Sequence, residues 1–118
     1  MTIQECYEAI GGNYDDVLKR VRSEALIQRF TLKFLTDKSY SQLKEALEAK
    51  NYEDAFRGAH TLKGVCQNLS FDRLYEVSCD LTELLRDRTG TQPGIPEAMA
   101  KVTEVYEATI KEIEKLDQ

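Results

Sequence analysis

Apolar residues recur at three- and four-residue spacing along nearly the whole chain, and no stretch alternates convincingly as a strand would. The chain must therefore bury helix stripes against one another. Gly11-Gly12-Asn13 breaks an opening segment, Ile3 to Ile10, that reads as a short helix. Asn13 suits an N-cap, with Asp15 and Asp16 in the first turn, where the helix dipole favours acid. The helix it opens is expected from Tyr14 to Leu35, with Val17, Leu18, Val21, Ala25, Phe30 and Phe34 as its stripe. Thr36-Asp37-Lys38-Ser39 is the next break, and Ser39 with Gln42 matches a capping box. A short helix should follow, with Tyr40, Leu43 and Leu47 inward.

Asn51 reads as a further cap, with Asp54 at the third helical position, and its helix should reach Leu69. Ser70 is expected to cap the next helix, whose stripe is Phe71, Leu74, Val77, Leu81, Leu84 and Leu85. After the turn-rich Thr89-Gly90-Thr91-Gln92-Pro93-Gly94, Pro96 suits a first helical position. Met99, Val102, Tyr106, Ile110 and Ile113 line the last helix. Short connections between amphipathic helices make neighbours antiparallel. The expected fold is all-α: an antiparallel up-and-down four-helix bundle with additional short helices, about six in total, in one domain over residues 1–118.

Composition narrows the functions open to such a bundle. The chain has 118 residues, enough for one core without staples. Its net charge of −5 disfavours nucleic acid or an anionic membrane as the main partner. No window approaches the ~20 apolar residues of a membrane span. Met1-Thr2-Ile3-Gln4-Glu5 lacks a basic region followed by an apolar run, so it does not read as a signal peptide. Cys6, Cys66 and Cys79 are scattered without CxxC spacing and read as reduced thiols of a cytoplasmic protein.

His60 is the single histidine. On a helix from Tyr52 to Leu69, the positions Tyr52, Ala55, Ala59, Leu62, Cys66 and Leu69 fall on one arc, with Phe56 at its edge. His60 lies roughly 120° from the centre of that arc, so it points to solvent. Phe56, Arg57, Lys63 and Gly64 are its neighbours at three and four residues, and Gln67 follows one turn beyond. Any one of these charges, alone, is an ordinary solvated residue. Gly64 is different, because mid-helix glycine costs about 0.5–1 kcal/mol relative to alanine. It either admits a packed backbone, as Gly58 can on the other flank, or it clears space beside the imidazole. Phe56 reads as core edge.

A neutral imidazole nitrogen attacks phosphorus well, and the charge of Lys63 can stabilise phosphoryl oxygens. Other chemistry lacks its parts. Nothing nearby supplies a catalytic triad, and one histidine without HxxxH or paired cysteines makes a poor metal site. No GxxxxGK[ST] loop is present, so the chain is not expected to bind ATP.

Ala59-His60-Thr61-Leu62-Lys63-Gly64, continuing Val65-Cys66-Gln67-Asn68-Leu69, resembles the signature of histidine-containing phosphotransfer (HPt) domains. Those domains carry a histidine, then lysine and glycine three and four residues later, on one helix of a four-helix bundle. Leu43 through Arg57 resembles the usual approach to that helix. The resemblance implies a phosphocarrier in a multistep, two-component phosphorelay, not an enzyme with small-molecule turnover. By position it makes His60 the phosphorylated residue, Lys63 the charge stabiliser and Gly64 the clearance residue, with Gln67 as a polar contact near the site. Arg57 and Phe56, one turn before His60, are expected as secondary contacts from their helical spacing. It implies receiver domains of response regulators or hybrid histidine kinases as partners, with Mg²⁺ on the receiver and no cofactor on this chain.

The sequence departs from the pattern in two respects: Ser70 stands where the family often has glycine, and Ser78 and Thr82, expected level with His60, are not the glutamine of some relatives. A monomer is expected, and the opening methionine favours a free-standing protein over a piece of a longer kinase. Two other readings compete. One is a non-catalytic helical binding module that sequesters or inhibits a receiver or kinase; a decoy need not keep His60, Lys63 and Gly64 together. The other is an unrelated helical adaptor, for which Gly64 would be a cost without return.

Overall fold

Side-chain caps at Thr2, Asn13, Ser23 and Asn51 each start a helix. The computed structural model describes residues 1–116. Among them are seven α-helices: α1 (Ile3–Ile10), α2 (Tyr14–Val21), α3 (Glu24–Lys33), α4 (Ser39–Glu48), α5 (Tyr52–Leu69), α6 (Asp72–Leu85) and α7 (Ile95–Ile113), with a 3-10 turn at Phe34–Thr36. No strand occurs among the described residues. Asn13 caps α2 by accepting from the Asp16 N–H, as its position implied.

The single helix expected from Tyr14 to Leu35 is two. Arg22 takes a left-handed conformation at φ 61° and ends α2, and the Ser23 hydroxyl accepts from the Leu26 N–H to start α3. The break resets the phase of the stripe. Val17, Ile27, Thr31 and Phe34 turn inward, whereas Leu18, Ala25 and Phe30 are exposed.

Three smaller expectations also change. Ser39 is the first residue of α4 rather than its cap: Lys38 precedes it, and the Ser39 N–H donates to the Asp37 carboxylate at 2.9 Å. Ser70 ends α5 instead of capping α6; it is left-handed at φ 57°, and Phe71 stands at the cap position of α6. Pro96 is the second residue of α7, after Ile95.

Helices α4 to α7 form the bundle, each packed on the next through short connections. The Tyr40 ring of α4 stacks on Tyr106 of α7 with centres 3.9 Å apart, and its hydroxyl hydrogen-bonds Thr103 at 2.9 Å, closing the ring of four. Leu43, Leu62, Leu74, Leu81, Leu85 and Val102 fill the centre. At Gly58, α4 packs tightly on α5: a Cβ there would lie 3.0 Å from the Leu43 Cα and backbone nitrogen. At one end Phe71 packs between Tyr7 and Phe34, with ring centres 5.5 and 5.3 Å away, so α1 and the 3-10 turn seal the core. Cys6 and Cys66 are buried, Cys79 is half-buried, and all three are free thiols. No helix among the described residues is long and apolar enough to cross a membrane.

Candidate functional site

The site is carried by α5. Asn51 fixes its start, accepting from the Asp54 N–H at 3.1 Å and donating its amide to the Asp54 carboxylate at 2.8 Å. Ala55, Phe56, Gly58, Ala59, Leu62 and Cys66 face inward, which leaves His60 exposed on the far side. Its ring centre is 5.9 Å from that of Phe56, one turn earlier. Phe56 is itself only 8 % exposed, a core-edge residue whose outer face borders the histidine.

Gly64, one turn after His60, has open space around it: an added Cβ would find nothing within 4 Å. This is the opposite of Gly58 on the same helix, and it leaves bare backbone beside the imidazole. Lys63 is half-exposed and makes no ion pair among the described residues. Its positive charge does reach α6. The Glu83 carboxyl is held below its ordinary value first by its bond to Arg86, and Lys63 adds to the effect.

Arg57 turns to its own helix, pairing with Glu53 at 3.1 Å and Asp54 at 3.8 Å. Gln67 is exposed two turns beyond His60. Ser78 and Thr82 are buried, and the Thr82 hydroxyl donates to the Ser78 carbonyl at 2.6 Å. They face the core, so neither shares the exposed surface of His60; Glu83, the residue after Thr82, is exposed and bound to Arg86.

Three arginines from outside α5 also reach this helix. Arg86 and Arg88 lie over the Phe56 ring, with guanidinium carbons 5.6 and 4.2 Å from its centre. Arg86 is also bound to Glu83 at 2.6 and 3.1 Å. Arg20, from α2, donates to the Gln67 and Asn68 carbonyls at 3.3 and 2.7 Å and so satisfies the last turn of α5. Each is a contact between distant parts of the chain, carried by no local motif. The only sequence signal was the cluster of arginines at 86 and 88 beside the turn-rich loop.

The result is a helical bundle with its single histidine on the outer face of a central helix, flanked by open backbone and by basic groups. The family model of the Hpt domain matches residues 36–117, more than half of the chain and all of the site helix. The chain belongs to the Hpt domain family. No curated protein and no solved structure matches it. Membership implies phosphotransfer in a phosphorelay, with receiver or kinase proteins as the class of partner.

Proposed function

We propose that His60 is the phosphorylated residue and that the chain carries a phosphoryl group between receiver-domain aspartates. The observation that carries this reading is the pairing of an exposed imidazole with the empty space at Gly64. A lone pair of the neutral imidazole attacks the phosphorus of an aspartyl phosphate on the receiver. The N–P bond forms as the acyl O–P bond breaks, and the aspartate leaves as carboxylate; the proton on the second ring nitrogen stays in place. Lys63 lies one turn away, where its ammonium can offset charge on the phosphoryl oxygens. The receiver supplies the aspartate and its Mg²⁺; this chain supplies the nucleophile, the cation and the clearance. On this reading the protein acts in the cytoplasm as a monomeric single domain, a transfer intermediate without ATP binding.

Incubation with a receiver phosphorylated by acetyl phosphate tests the assignment. Acid-labile, base-stable label should appear on the wild-type chain and be absent from His60→Gln, with the melting temperature of the variant unchanged. Label that persists in His60→Gln would place the acceptor elsewhere. A wild type that binds receivers and never takes label would be a sequestering module.

A further inference from the structure

The loop after α6 is a built structure. The Arg88 N–H donates to the Leu85 carbonyl at 2.9 Å. Asp87 accepts from the Thr89 N–H, the Thr89 hydroxyl and the Gln92 amide at 3.0, 3.0 and 2.8 Å. Gly90, at φ +73°, lies so close to Tyr52 that a Cβ would come within 2.3 Å of the ring. The loop is thereby pinned to the first turn of α5, on the flank of the site helix that carries Phe56.

This pinning places the Arg88 guanidinium over Phe56, 4.2 Å from the ring centre, and the Phe56 ring is 5.9 Å from that of His60. Two of the neighbouring cations are engaged: Arg57 pairs with Glu53 and Asp54, and Arg86 pairs with Glu83. Lys63 sits on the site helix itself, one turn after His60. Arg88 is exposed and makes no ion pair among the described residues. It uses one N–H, from Nη1 to the Arg86 carbonyl at 3.1 Å. A guanidinium held over an aromatic face keeps its remaining donors for planar acceptors such as carboxylates. On a chain of net charge −5, this unpaired cation, separated from the imidazole by the Phe56 ring, favours an acidic partner surface.

We infer that Arg88 is a docking residue for the receiver, its free N–H edge taking a carboxylate at the rim of the receiver's acidic phosphorylation site. The inference rests on the assignment of His60 as the acceptor. Arg88 reaches the histidine only through Phe56, so it acts on association and orientation rather than on the phosphoryl group.

Binding and transfer, measured separately against a receiver phosphorylated with acetyl phosphate, test this. Arg88→Ala should weaken binding about 5- to 10-fold and raise the half-saturating receiver concentration equally, as loss of a charge-assisted contact does. The rate at saturation should stay within about twofold. The gap between variant and wild type should shrink at about 0.5 M salt, where the Debye length is a few ångströms. Arg88→Lys should recover part of the binding, since it keeps the charge and loses the planar stack. Unchanged binding in a folded Arg88→Ala, or a lost saturated rate with binding intact, would overturn the inference while normal labelling of the wild type left His60 in place. Conversely, weakened binding in Arg88→Ala together with a wild type that never takes label would sustain the docking role and remove the acceptor role.

Discussion

The Arg20 guanidinium donates to the Ser70 hydroxyl at 2.6 Å, joining α2 to the residue that ends the site helix. Ser70 is left-handed at φ 57°, a conformation that favours glycine. Its hydroxyl, in turn, donates to Asp16 at 2.6 Å, and Arg20 also binds Asp16 and the last carbonyls of α5. Serine at this helix end is thus tied to an acid and a base from α2, outside the segment that matches the family model.

That network gives stability a sign with pH. The Ser70 hydroxyl and then Arg20 hold the Asp16 carboxyl below its ordinary value. A carboxyl whose folded pKa is depressed contributes stability above its unfolded pKa, and the contribution is lost as pH falls through the folded value. Wild type should therefore melt higher than Asp16→Asn near neutrality, and the two should converge as pH drops below about 4. Thermal melts followed by circular dichroism across that range check this; parallel curves would mean that Asp16 is not coupled to folding.

Gly58 should behave as a packing glycine. A Cβ at Gly58 would sit 3.0 Å from backbone atoms of Leu43, and backbone does not move aside as a flexible side chain does. Gly58→Ala should push α4 from α5 and cost about 1–3 kcal/mol despite the better helix propensity of alanine. Denaturant titration reads this directly, and a stabilised Gly58→Ala would show that α4 can shift without penalty.

The site helix was legible because its determinants are local. The Asn51 cap, the Asp54 response and the inward stripe all lie within α5, and so does the outward angle of His60. The break at Arg22–Ser23 was hidden because apolar residues on both sides fit one helical period, so only the Ser23 cap marked it. Ser70 reads as the start of α6 because serine is a familiar N-cap and the left-handed end of α5 directly precedes that helix. Arg88 over Phe56 and Arg20 on Asn68 join residues far apart in the chain, and no spacing rule encodes such contacts.

Lys63→Ala should slow transfer more than it weakens docking. A dedicated oxyanion donor is worth about 2.7–4 kcal/mol in closed sites. Lys63 is half-exposed, so its charge is partly screened by water and a loss of roughly 5- to 50-fold in the saturated rate is the expected scale. Single-turnover transfer over a range of receiver concentrations separates rate from affinity. Equal saturated rates for variant and wild type would remove Lys63 from the chemistry.

Gly64 gives the sharpest contrast, because stability and transfer should move in opposite directions. Nothing lies within 4 Å of a Cβ built there, so no packing contact opposes a side chain. Gly64→Ala should stabilise the protein by about 0.5–1 kcal/mol through helix propensity alone. Gly64→Gln should fold as well as wild type or slightly better, since its side chain projects into solvent. Yet position 64 stands one turn beyond His60 on the exposed face, and a glutamine there would cover the bare backbone over which a receiver must approach. Transfer should fall steeply in Gly64→Gln and much less in Gly64→Ala, whose single methyl leaves most of the clearance. Melting temperature and single-turnover transfer, measured on both variants, decide the matter. A Gly64→Gln protein that melts markedly lower would assign the glycine to packing, and one that melts normally and transfers at the wild-type rate would move the docking surface away from this face of α5.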